Sequence, residues 1–206
     1  NPNRFDSDED GLSDWEEVKT YLTDPNSADT DSDGLPDLWE IANLLDPKSG
    51  TGANGASGDP DEDALINFAE HSYQLQLRRK DTDADGMDDF WEVSHRLSPT
   101  DSTGGNGADG DPDMDAKTNF EEMIAGTDPN SAESVFVVTL LEPNNPGVAI
   151  RWRTVAKKRY QVYITEQLGS EWSPLGDEIL GTGEEIRYQD EGADSAKTRY
   201  YKVGVQ

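Results

Sequence analysis

Five stretches of this chain set carboxylates at fixed offsets: DSDEDGLSDWEE (6–17), DTDSDGLPDLWE (29–40), DPDEDALINFAE (59–70), DTDADGMDDFWE (81–92) and DPDMDAKTNFEE (111–122). Numbered 1 to 12, each dozen has Asp at 1, 3 and 5, Asp or Asn at 9, and Glu at 12. Alternate residues of a tight turn can all face one point, and a Glu in the following helical turn can reach back to close the shell. A hard cation needing six to eight oxygens fits that spacing, with side chains at 1, 3 and 5, a backbone carbonyl at 7, an often water-mediated group at 9 and a bidentate Glu at 12. The chemistry expected is calcium binding, with about five ions. So many protein oxygens suit calcium better than the smaller, more rigidly hydrated magnesium.

The expected ligands of the first loop are Asp6, Asp8, Asp10, the Leu12 carbonyl, Asp14 and Glu17. The second offers Asp29, Asp31, Asp33, the Leu35 carbonyl, Asp37 and Glu40, and the third Asp59, Asp61, Asp63, the Leu65 carbonyl, Asn67 and Glu70. The fourth offers Asp81, Asp83, Asp85, the Met87 carbonyl, Asp89 and Glu92, and the fifth Asp111, Asp113, Asp115, the Lys117 carbonyl, Asn119 and Glu122. Position 6 must make the sharp bend. It is Gly11, Gly34 and Gly86 in three loops but Ala64 and Ala116 in the others. A left-handed Ala costs roughly 1 kcal/mol, so those two sites are expected to be weaker or differently bent. Asp24, Asp46 and Asp128, each before Pro, read either as outer ligands or as turn caps.

The elements that position these groups are short. Each dozen leads into a helical run such as DWEEVKTYL (14–22) or DFWEVSHRL (89–97), whose acidic first turn suits the helix dipole. An exit at DP or SP then pushes the preceding residue out of helical dihedrals. Nothing resembles the long entering helix of a paired calcium sensor. Apolar residues at position 7 (Leu12, Leu35, Leu65, Met87) and position 10 (Trp15, Leu38, Phe68, Phe90, Phe120) are expected to form a thin core between loop and helix. Without metal the clustered carboxylates repel, so the ion-free array is expected to be largely disordered.

The loops start at 6, 29, 59, 81 and 111, a serial array with alternating short and long steps. Residues 29 onward align without gaps on residues 81 onward for about forty positions, through the Gly/Asn-rich TGANGASG and TGGNGADG. Here DTDSDGLPD, GDPDEDALINFAE and GTDP carry a resemblance, over about residues 6–130, to the cysteine-free bacterial form of the thrombospondin type 3 repeat. The resemblance implies extracellular, calcium-saturated segments that are structural rather than sensory.

Charge divides the chain. Residues 1–133 hold 34 acidic and 8 basic side chains, whereas residues 134–206 hold 10 and 9. The acidic part excludes nucleic-acid binding by phosphate neutralisation and disfavours anionic lipid. No stretch approaches a membrane span, so no direct membrane insertion is expected. The absence of cysteine excludes a disulfide scaffold. The opening NPNRF, without Met, reads as a processed protein or a fragment. The fold expected is mixed: a calcium-loop and short-helix repeat array over 1–133, then an all-β sandwich over 134–206.

In that second part, short alternating runs mark six strands: 135–142, 148–155, 159–167, 171–176, 184–191 and 199–205. IRWRT, RYQVYIT and the approach to RYYKVGV resemble a fibronectin type III-like domain, whose seventh strand would begin about where Gln206 stands. Six strands would leave an edge open to pairing, and a neighbouring copy could fill it in a homo-oligomer or head-to-tail filament. No nucleophile motif, phosphate-cradling loop or paired His spacing is present, and catalysis is not expected. Trp152 and Trp172 read as core residues or as sugar-stacking platforms. The function expected is that of a secreted or cell-surface bacterial structural or adhesive protein, its array a rigid spacer. A dockerin-like docking module and an accessory region of a larger secreted enzyme are the alternatives.

Overall fold

The computed structural model describes residues 5–143, 147–193 and 198–205. It divides into two compact units, residues 1–107 and 108–206. Composition changes at 133/134, but the segment just after the fifth acidic loop packs against the turn at 155–158: Lys158 Nζ donates to the Met123 carbonyl at 2.8 Å, and Gly126 lies against Val155.

A helix starts at position 9 of each acidic dozen, and all are short: α1 (Asp14–Glu16, continuing as a π-turn over Glu17–Tyr21), α2 (Asp37–Ala42), α3 (Asn67–Tyr73), α4 (Asp89–Ser94) and α5 (Asn119–Ala125). Ser13 and Thr118 start α1 and α5 with reciprocal capping boxes to Glu16 and Glu121, and Asp88 caps α4 by accepting from Trp91 N. Each helix ends within two turns on a left-handed residue: Leu22, Leu44, Gln74, Arg96 or Gly126. The carbonyl of the position-12 Glu then accepts the N–H five residues on, from Leu22, Leu45, Leu75, Leu97 or Thr127. The same Glu therefore anchors the helix end through its backbone while its side chain turns back toward the loop.

The thin core of the first unit lies under position 7 and just beyond the helices. Leu12, Leu35, Leu65 and Met87 are buried, as are Leu45, Leu75, Leu77 and Leu97. Position 10 was expected in that core and is not: Trp15, Leu38, Phe68, Phe90 and Phe120 keep 38–67% of their surface exposed. Helical geometry is the reason. Positions 9 and 12 share one face of the helix and turn inward, which rotates position 10 outward. Two of these side chains lie against the preceding loop instead, Leu38 beside Gly11 and Phe68 beside Gly34.

The strands are β1 (Val138–Pro143), β2 (Val148–Arg153), β3 (Arg159–Thr165), β4 (Ser173–Leu180), β5 (Glu185–Asp190) and β6 (Tyr200–Val205). They pair antiparallel as two three-stranded sheets, β1-β2-β5 and β4-β3-β6. All six expected runs are strands, with β4 running four residues further than its sequence pattern showed. The two sheets share a core in which Ile150 and Trp152 from β2 meet Tyr160 and Val162 from β3. Trp152 has no exposed surface, so of its two readings the core one applies. Trp172 instead lies beside the Lys202 ammonium, 5.0 Å from its ring centroid, near an open cavity of about 300 Å³ along β6.

Candidate metal centres

Each acidic loop is tied by the same bonds. The N–H of position 9 donates to the carbonyl just before position 1: Asp14 to Phe5, Asp37 to Ala28, Asn67 to Gly58, Asp89 to Lys80 and Asn119 to Gly110. The N–H of position 6 donates to the position-1 carboxylate in all five loops, at 2.9–3.1 Å. The N–H of position 7 donates to Oδ1 of the position-5 Asp, at 2.7–2.9 Å. Turn after turn, carboxylates accept from nearby backbone amides, and the loop curls around its own acidic groups.

Positions 4 and 6 both lie in the left-handed region. At position 6, Gly11, Gly34 and Gly86 have φ of 101–102°, whereas Ala64 and Ala116 sit at 83° and 71°. The alanine loops bend differently, as their sequence implied, because a Cβ confines the residue nearer the left-handed helical minimum.

Within each of the first four loops, the carboxylates at 1, 3 and 5 bring oxygens within 4.8 Å of one another: Asp6/Asp8/Asp10, Asp29/Asp31/Asp33, Asp59/Asp61/Asp63 and Asp81/Asp83/Asp85. The glutamate at 12 closes beneath. Glu17, Glu40, Glu70, Glu92 and Glu122 are at most 1% exposed. Both carboxylate oxygens of Glu40, Glu70 and Glu92 lack a hydrogen-bond partner; in Glu17 this holds for Oε2, while Oε1 takes a long 3.5 Å bond from Thr23. Asp8, Asp10, Asp31, Asp61, Asp63, Asp83, Asp113 and Asp115 each bury at least one oxygen in the same condition.

Buried acceptors left unmet are costly, and buried like charges more so. Burial first, and repulsion from the loop's aspartates second, push Glu17 up to about 7, Glu40 and Glu70 to about 8 and Glu92 to about 9. Burial likewise raises Glu122 to about 7, with the Thr127 hydroxyl acting in the opposite sense. Asp63 is raised to about 6, again chiefly by burial. Oxygen-only donor sets of this kind, preformed, buried and unsatisfied, fit a hard divalent cation.

Position 9 plays two parts that the sequence reading did not separate. In three loops it is Asp, and its two oxygens accept from the N–H and hydroxyl of position 2: Asp14 from Ser7, Asp37 from Thr30 and Asp89 from Thr82, at 2.7–2.9 Å. In the third and fifth loops position 2 is Pro60 or Pro112, which offers neither donor, and position 9 is Asn. The Asn67 amide donates to the carbonyls of Ala53 and Gly55 in the Gly/Asn-rich loop, leaving its buried Oδ1 without a partner. The pairing of Ser/Thr with Asp and of Pro with Asn, seven residues apart, was the available signal.

The Gly/Asn-rich loop is itself part of the site. Ala56 N donates to Asp33 Oδ2 at 2.7 Å, and Asn67 N to the Gly58 carbonyl. A Cβ on Gly58 would stand 2.6 Å from the Ala53 oxygen, so only glycine lets this turn approach Asn67. The pre-proline aspartates cap turns: Asp24, Asp46 and Asp128 each accept from the N–H two residues on.

The family model of the bacterial TSP3 repeat matches residues 6–28 and 118–132. These are the first loop with its helix and exit, and the helix and exit of the fifth. The family is one of calcium-binding structural repeats, which agrees with the acidic clusters described above. No curated protein and no solved structure matches the chain. Among the described residues, no helix is long and apolar enough to cross a membrane.

Proposed function

We propose that residues 6–130 form a calcium-stabilised structural array of an extracellular bacterial protein, binding about five ions and serving as a stiff spacer. The observation that carries this reading is the set of buried position-12 glutamates, among which Glu40, Glu70 and Glu92 have neither oxygen met by a protein partner. Calcium, when bound, supplies the positive charge that the loops' oxygen shells lack. The chain's own residues do the rest: positions 1, 3, 5 and 12 would hold the ion, positions 2 and 9 close the loop, and the position-12 carbonyl stops the helix. A site assembled this way serves folding rather than signalling, and binding free energy becomes folding free energy.

The β unit is read as a fibronectin type III-like sandwich, on the strength of its strand orders β1-β2-β5 and β4-β3-β6. Its β6 strand stands at a sheet edge, which supports pairing with a strand from another copy and growth into a filament or an adhesive contact. No catalytic role is proposed. Calcium titration of EDTA-treated protein, followed by far-UV circular dichroism and light scattering, tests both parts. Ordering of the acidic part with a rise in particle size is the expected result. Ordering without growth would refute the filament, and no response to calcium would refute the array.

A further inference from the structure

Asp37 belongs by sequence to the second loop, yet its carboxylate stands with two from the first. Asp10, Glu17 and Asp37 each bring an oxygen within 4.8 Å of the other two. Glu17 and Asp37 have no exposed surface, and Glu17 Oε2 and Asp10 Oδ2 have no hydrogen-bond partner. Asp37 meanwhile accepts from Thr30 N at 2.8 Å and from Thr30 Oγ1 at 2.7 Å. A carboxylate has about four lone-pair sites, so each Asp37 oxygen can accept its Thr30 bond and still face a cation. One side chain thus touches the start of its own loop and the floor of the cage before it.

We propose that Asp37 is a ligand of the first cage as well as the latch of the second loop, so that the first two cages fill as one coupled unit. This rests on the calcium reading of the loops.

The spacing of the repeats agrees. The first short step, 6 to 29, brings position 9 of the second loop against the cage of the loop before it, and across the other short step, 59 to 81, position 9 is again Asp. Asp89, fully buried and accepting from the Thr82 N–H and hydroxyl, is the counterpart of Asp37 across that second step. The long steps, 29 to 59 and 81 to 111, insert the Gly/Asn-rich loop. There position 9 is neutral Asn; in the third loop Asn67 spends its amide on the inserted loop's carbonyls. Charge is present at position 9 where a preceding cage lies one short step away, and absent where the insertion intervenes.

Calcium competition titrations of the full chain against a chromophoric chelator test this, using wild type, E17Q, D37N and T30V. Uptake by the wild type comes first, and a chain that takes up no calcium would overturn the array and the coupling together. Given uptake, E17Q changes a first-cage ligand only, and coupling predicts that two ions weaken, by about tenfold or more. D37N should likewise weaken two ions. T30V, which removes the latch hydroxyl and keeps the Asp37 carboxylate, should weaken both by less than D37N does, since coupling is reciprocal and no first-cage ligand is lost. If E17Q weakens a single ion, or if D37N and T30V give the same loss, Asp37 serves its own loop alone and the proposal is wrong. Because E17Q leaves loop two's own residues intact, the test stands even if D37N does not fold.

Discussion

Acid should do for the ion-free array part of what calcium does. The five position-12 glutamates have folded-state pKa values raised to about 7, 8, 8, 9 and 7, against an ordinary 4.5. A carboxyl whose folded value is raised contributes stability below its unfolded value and loses it as pH climbs through the folded one. The window therefore runs from about pH 4.5 to about pH 9, and the sign is opposite to ordinary acid denaturation. At pH 7 the folded ion-free cages would hold about four more protons than the unfolded chain, since the glutamates near 8 and 9 are almost wholly protonated and those near 7 half so. Protein stripped with EDTA and dialysed should thus be disordered over residues 6–130 at pH 9 and regain helix and tryptophan near-UV signal on acidification toward pH 5. The transition should be steep, with an apparent proton number of about four. Far-UV and near-UV circular dichroism against pH at zero calcium measures it directly. A stripped protein that holds its structure at pH 9 and loses it on acidification would refute the reasoning, because the glutamates would then be stabilised as anions without a metal.

Three further outcomes follow from particular contacts. Leu35→Ala empties a fully buried position shared with Leu45 and Leu77, and should destabilise the calcium-loaded first unit by about 3 kcal/mol in urea unfolding, leaving the β unit's transition in place. Thr82→Val removes the hydroxyl that donates to Asp89 Oδ2 at 2.7 Å; it should cost about 1–2 kcal/mol in the same assay, since the buried oxygen loses a donor. Gly58→Ala should disorder the third loop, because its Cβ would press on the Ala53 oxygen; Gly105→Ala, with nothing within 4 Å and no left-handed φ, should leave thermal stability of the calcium-loaded protein unchanged.

The spacing of the acidic dozens, the short helices and the six strands were legible because each rests on a local rule: offsets in a tight turn, helix stops before proline, alternation in strands. Position 10 was misread as core because apolarity alone does not tell which face of a two-turn helix turns inward. The buried glutamates decide that, and they pull positions 9 and 12 in. The two parts of position 9 were hidden for another reason. An aspartate that faces an ion and one that latches a threonine are the same letter, and only the residue seven places earlier distinguishes them. The reach of Asp37 to Asp10 and Glu17 lies further from the letters still, since it depends on how one loop lies against the next.

The latch also constrains how such a chain can change over generations. A loop closed by Thr30 and Asp37 and a loop opened by Pro60 and turned by Asn67 are two self-consistent solutions, and one of the two intermediates between them is poor. Proline at 30 alone would strand two buried Asp37 oxygens without their donors, whereas asparagine at 37 can still accept from the Thr30 N–H through Oδ1 and donate from Nδ2 to the Thr30 hydroxyl oxygen. Passage between the two solutions is therefore ordered, with asparagine at the later position coming before proline at the earlier one. Two residues that share no surface function are in this way bound to a joint history.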